Sequence, residues 1–210
     1  MLADNTVQEL LDAFSAPTPT PGGGSAAALA GAVAAALLAM VAGMPKTRTG
    51  SPEDRQALDA VHPLLLGLGA DFVGLIDRDA NAYNQVVEAY RLPKGTDAEK
   101  VARKDAIASA MRLATDVPLE TARAAAALIG HGRTVAEHGN PNAKSDVGVA
   151  ISLAMTAQSG AYMNVEINLG ETSDAYATTV RAELTRLMRE SAMQLGPAYT
   201  ALGWRGHELS

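Results

Sequence analysis

The sequence predicts an all-α protein built as an up-and-down bundle of long helices, and three observations carry that prediction. Apolar residues recur at spacings of three, four and seven through most of the chain. No run of alternating β-branched residues is bounded by hairpin turns. Capping residues, prolines and glycines divide the chain into long segments joined by short loops, which favours antiparallel neighbours. The 210 residues are enough to bury a core without covalent staples and show neither an internal repeat nor sustained coiled-coil heptads, so a single domain over 1–210 is expected.

The first helix opens on "TVQE", Thr6 to Glu9, a capping box, with Leu10, Leu11 and Phe14 as its buried face. It ends near Ser15, because the following prolines cannot continue it. Ser25 is expected to cap a second helix from Ala26 to about Ala42. Its alanines let neighbouring backbones come close, so this helix is central or lies at a dimer interface. A third runs from about Pro52 to Tyr90, with a kink or restart at Pro63. After "RLPKGTD" a fourth is expected from Asp97 to Ala114, restarting around Pro118, continuing to Glu137 and closing on Gly139 as C′ residue. "GNPNAKSD" is a loop; Ser145 caps a fifth helix whose apolar face steps through Val147, Ile151, Met155, Tyr162, Val165 and Leu169. Thr172 or Ser173 opens the last, with Tyr176, Val180, Leu184, Leu187 and Leu195 on one side.

Composition excludes several chemistries. With no cysteine there is no thiol nucleophile, Cys-ligated zinc or iron–sulfur cluster. A net charge of −6 argues against nucleic acid as a partner, while a small anionic substrate needs only a few local cations. The start, "MLADNTVQELLDAF", lacks the basic and apolar regions of an export signal, so a cytoplasmic protein is expected. Ala26 to Met44 is the only stretch long enough for a membrane span, but its hydrophobicity is weak and it reads as a buried helix. His131 and His138 lie seven apart without carboxylates at ligand spacing, and no metal is expected.

Four stretches carry groups suited to chemistry. "PGGGSAAA" lacks the Gly-Lys-Ser/Thr of a nucleotide loop, yet Gly22, Gly23, Gly24 and Ser25 offer free amides and a hydroxyl at a helix start, suited to a carboxylate, carbonyl or phosphate. A tight turn that lets the alanine helix pack explains them equally well. In "DRDANAYNQVVEAYRLPK", Asp79, Tyr83 and Tyr90 share a helix face and Asp77 lies about 200° round, so one aspartate faces a cleft while the other meets solvent or a partner. A desolvated aspartate there serves as acid or base near neutrality; an ordinary charged face with core tyrosines is the plainer reading. Gly160, Asn164 and Asn168 form a stripe whose carboxamides either read a heterocycle or satisfy groups between helices. Lys144, Ser145 and Asp146 mark a helix start, where a cap and a dipole-favourable acid explain two of them without function.

Together "PTPGGGSAAALAGAVAAAL", "LIDRDANAYNQVVEAYRLPK", "GNPNAKSDVGVA" and "GAYMNVEINL" resemble, in order and spacing over nearly the whole chain, the cyclodeaminase/cyclohydrolase family of folate enzymes. The resemblance implies an all-α homodimer binding folate at or near the subunit interface, with no cofactor beyond the tetrahydrofolate substrate. It implies one of two reactions: water opening the cationic methenyl bridge between N5 and N10, or N10 attacking a formimino carbon on N5 with loss of ammonia. Methenyltetrahydrofolate cyclohydrolase is the first expectation, since the chain holds no formiminotransferase segment. A formimidoyltetrahydrofolate cyclodeaminase and a non-catalytic folate-binding helical protein are the alternatives. On this resemblance Asp79 or Asp77 stabilises the cation and relays a proton, Asp146 competes for that role, and Tyr83 orients the ring or the water. The glycine turn, with Ser25, presents donors, Lys94 counters the glutamate tail, Asn164 and Asn168 hydrogen-bond the pterin, and Ser145 is a further substrate contact.

Overall fold

Side-chain caps set most of the helix starts. The computed structural model describes residues 1–170 and 174–204, and among them lie six α-helices, two 3-10 turns and no strand. The helices are α1 (Val7–Ser15), α2 (Gly23–Ala42), α3 (Pro52–Arg91), α4 (Asp97–His138), α5 (Lys144–Leu169) and α6 (Ala175–Leu202). Thr6 with Glu9 and Thr96 with Glu99 form capping boxes on α1 and α4. Ser51 accepts from the Asp54 amide at the head of α3, where Pro52 begins the helix. Asp174 caps α6; Thr172 and Ser173, the expected openers, lie outside the described residues.

Four local expectations change. α2 starts two residues before Ser25, with Gly22 as its cap, so Ser25 sits in the first turn and its hydroxyl turns sideways to α3. α5 starts at Lys144 from a 3-10 turn, Pro141–Ala143, so Ser145 does not cap it. Gly139 ends α4 at a φ of −69°, outside the left-handed region of a C′ glycine. Pro63 and Pro118 lie inside unbroken helices. For Pro118 the reason is visible: a proline has no N–H for the carbonyl four residues back, and the Asn168 side chain donates Nδ2–H to that atom, Ala114 O, at 2.6 Å.

The topology is up-and-down. α2, α3, α4 and α5 form a closed four-helix bundle in which each chain neighbour runs antiparallel to the last, and α6 packs mainly on α4. Phe72, Leu38, Leu65, Ile76, Leu128 and Ile151 fill the centre. A smaller cluster under α6 joins Leu119 and Val165 to Val180, Leu184 and Leu187. α2 is central, as its alanines predict: Gly31 receives the Phe72 ring, and Gly160 of α5 rests against Ala27, so a methyl group at either glycine would overlap its neighbour. Of the expected faces, Val147, Ile151, Val165 and Leu169 are buried, whereas Tyr162 is exposed and Leu11 of the peripheral α1 faces solvent.

By length and composition α2 could cross a membrane, and so could α3, which the sequence reading did not single out. In the fold α2 is held on two sides by α3 and α5, and 56% of its apolar window is buried. One side stays uncovered: Ala26, Val33, Ala36 and Met40 are exposed, with Leu29 and Leu37 half-buried between them.

Candidate active site

Unequal helix lengths create the site. α2 has 20 residues against 40 and 42 in α3 and α4, so the four-helix bundle loses a member at Gly23 while its neighbours continue. The space left there is a cavity of about 300 Å³. The glycine turn Gly22–Gly24 with Pro19 and Thr20 forms one wall, Asp79 and Tyr83 of α3 a second, and Asn164, Ile167 and Asn168 of α5 with Ala114 of α4 the rest.

Asp79 is its one carboxylate. α3 passes so close under α2 that a Cβ on Gly24 would overlap the Asp79 carboxylate, which therefore requires glycine at that position. Ser25, 0% exposed, places its Oγ 3.0 Å from Asp79 Oδ2 and 2.9 Å from the Ile76 carbonyl. A hydroxyl has one hydrogen, so only one of these acceptors receives it at a time. When Asp79 is ionised, Ser25 donates to it. When Asp79 carries a proton, it donates to Ser25 Oγ and Ser25 donates on to Ile76 O. Both protonation states are thus fully bonded. Burial pushes the Asp79 pKa up from the ordinary carboxylate value, and the Ser25 hydroxyl and amide pull it partly back.

The other expected residues divide. Tyr83, 43% exposed, stands at the mouth one turn from Asp79. Asn164 lies beside Gly23 and donates to Gly160 O at 2.8 Å. Asn168 lines the cavity while its amide serves Ala114 O. Ser25 is too deeply buried to touch a ligand, which corrects its expected role as a substrate contact. Asp77 points away from the cavity: the Leu2 amide donates to its Oδ1 at 2.6 Å and the Ala3 amide to its Oδ2 at 3.4 Å, so it anchors the amino terminus. Ser145 and Asp146 sit at the far end of α5; Asn164 is roughly 27 Å from Asp146 by helical rise. Lys94 is exposed in the α3–α4 loop and does not line the cavity, and Tyr90 lies beyond it under Arg103.

Sequence reasoning missed two clusters. Arg112 stacks on the Tyr176 ring at 4.4 Å, and Tyr176 donates to Asp116 Oδ1 at 2.6 Å. At the opposite end of the bundle His138 Nδ1 lies 2.8 Å from Asp54 Oδ1. Their separations of 60 and 84 residues leave no local signal. No group of three or more metal-ligating side chains occurs among the described residues.

The fold and site define an all-α protein with a half-buried acid beneath a glycine-turned helix start. A family profile described as formiminotransferase-cyclodeaminase matches residues 6–186. The chain is 38% identical over 192 residues to methenyltetrahydrofolate cyclohydrolase of Methylorubrum extorquens, covering 91% of this chain and 92% of that one. It is 32% identical to mouse formimidoyltransferase-cyclodeaminase over 92% of its own length but only 36% of the mouse protein. A crystal structure of formiminotetrahydrofolate cyclodeaminase from Thermotoga maritima superposes with a TM-score of 0.77 at 26% identity, over 96% of both chains. The chain belongs to the formiminotransferase-cyclodeaminase family.

Proposed function

We propose that this protein is a methenyltetrahydrofolate cyclohydrolase, converting 5,10-methenyltetrahydrofolate and water to 10-formyltetrahydrofolate. The observation that carries the assignment is the Asp79 carboxylate in the cavity at the head of α2, held from behind by the buried Ser25 hydroxyl. Similarity across nearly the full length of the Methylorubrum enzyme supports the substrate.

The methenyl carbon between N5 and N10 is already a cationic electrophile, so the reaction needs water, a base and a proton relay. Ionised Asp79 stabilises the cation and accepts a proton as water oxygen bonds to the carbon. The hydroxyl adduct then collapses: the C–N5 bond breaks, its electrons go to N5, Asp79 returns the proton there, and the hydroxyl proton leaves to solvent as the formyl C=O forms. One proton is released per turnover. Burial that raises the Asp79 pKa suits both halves of this relay. Ser25 acts through Asp79 as a positioning residue, Tyr83 orients the ring or the water, and Asn164, Asn168 and the Gly22–Gly24 amides hydrogen-bond the substrate.

The Thermotoga likeness favours a second reading, in which the same cavity runs cyclodeamination; both reactions pass through a tetrahedral carbon between two nitrogens. Purified protein given methenyl- and formimino-substrates side by side tests the choice. Faster ammonia release than methenyl opening would reverse it. Turnover of neither, with folate binding retained, would make the protein a non-catalytic binder.

The assignment calls for no resident cofactor or metal, and it puts the reaction in the cytoplasm, with neither nucleic acid nor membrane as partner. A second copy of the chain covers the uncovered side of α2, where Leu29, Val33, Leu37 and Met40 form an unbroken apolar stripe. The self-complementary contact of a two-fold homodimer suits a single such stripe.

A further inference from the structure

A second cavity adjoins the first at Asn168. That residue lines both the Asp79 cavity and this second one, of about 210 Å³, between α4, the end of α5 and the start of α6. Arg112, Thr115 and Tyr176 form its far side. Arg112 Cζ lies over the Tyr176 ring, 4.4 Å from its centroid, and Tyr176 is held in turn by its hydrogen bond to Asp116. A cation–π contact consumes none of the guanidinium's N–H donors, which leaves the fork that matches a carboxylate in two parallel bonds. Arg112 makes no ion pair among the described residues, and it is the one basic side chain lining either cavity. Asp174 also lines this cavity, where its carboxylate caps α6 by taking the Ala177 amide at 2.8 Å, and Asp116 takes the Tyr176 hydroxyl.

We infer that Arg112 is the carboxylate-recognition residue of the substrate site, with the second cavity receiving the anionic end of an elongated substrate whose reacting carbon lies at Asp79. This rests on the folate reading, in which the aminobenzoyl ring separates a cationic bridge from the glutamate carboxylates of the same molecule. It replaces Lys94, whose loop position lines neither cavity.

The test compares 5,10-methenyltetrahydrofolate with the 5,10-methenyltetrahydropteroyl amide, which has the bridge but neither the glutamate nor a free carboxylate, on wild type, Arg112→Gln and Arg112→Lys. Wild type should favour the glutamate-bearing substrate in KM by about tenfold, the ratio one charge-assisted hydrogen bond supplies. Arg112→Gln should lose that discrimination, and Arg112→Lys, which keeps charge but not the fork, should retain part of it. A wild type with equal KM for both substrates, or an Arg112→Gln protein that still discriminates, overturns this assignment and leaves the cyclohydrolase reading intact. A wild type that opens neither substrate overturns the reading, and the assignment with it. Thermal melting of each variant separates a lost contact from a lost fold.

Discussion

The Asp79 carboxylate occupies the space a side chain on Gly24 would need. Two helices from distant parts of the chain therefore meet at an acid and a glycine, and the contact is specific to that pair. Gly24→Ala should gain helix propensity, about 1 kcal/mol, yet push Asp79 off Ser25. Turnover should fall at least ~10²-fold, the lower range for a lost acid or base, while the melting temperature changes little. A Gly24→Ala protein at full activity would mean that Asp79 need not sit where it does.

Asp79→Asn should lower kcat by ~10²- to 10⁴-fold after correction for spontaneous opening of the substrate. It should also stabilise the protein at neutral pH. The folded-state pKa of Asp79 is raised, so its ionised form favours unfolding, and that cost appears as pH rises from the unfolded carboxylate value through the folded one. Melting curves of wild type and Asp79→Asn should converge towards pH 4 and separate towards pH 7. Asp77→Asn, outside the cavity, should keep its turnover and loosen the amino terminus.

Asn168→Ala leaves Ala114 O without the donor that Pro118 cannot provide, at a cost of about 1–3 kcal/mol. Pro118→Ala restores a backbone N–H at that carbonyl. In a double-mutant cycle by urea unfolding, the Asn168→Ala penalty should shrink in the Pro118→Ala background; equal penalties in both would show that the two groups do not share the carbonyl.

Asp54, 6% exposed, is held far below the usual carboxylate range by its hydrogen bond to His138 and then by the Thr49 amide and hydroxyl. A depressed folded pKa contributes stability above the unfolded value near 4, lost as pH falls below it. Wild type should lose stability steeply below about pH 4. Asp54→Asn should be less stable at pH 7 and show a flatter acid limb in melting temperature against pH.

Val33→Glu places a charge in the middle of the uncovered α2 stripe. Light scattering at micromolar concentration should then report a monomer where wild type is a dimer. A monomeric wild type would leave that stripe without its proposed partner.

Much of this molecule was legible locally. The Thr6 and Thr96 capping boxes, the break after Arg91 and the alanine helix are set by contacts within a few residues, and one helical turn suffices to put Asp79 and Tyr83 on a common face. What needed the tertiary structure was every choice that depends on how helices rotate and slide against one another. Spacing alone left Asp77 and Asp79 as equals; the packing of α3 under Gly24 turned one to the cavity and the other to the Leu2 amide. Ser25 changed from a cap to a buried partner of Asp79, Asp146 fell at the wrong end of a long helix, and Arg112, not Lys94, lines the adjoining cavity. Helical periodicity is a short-range property of the backbone, whereas the azimuth and depth of each helix follow from long-range burial summed over the whole core.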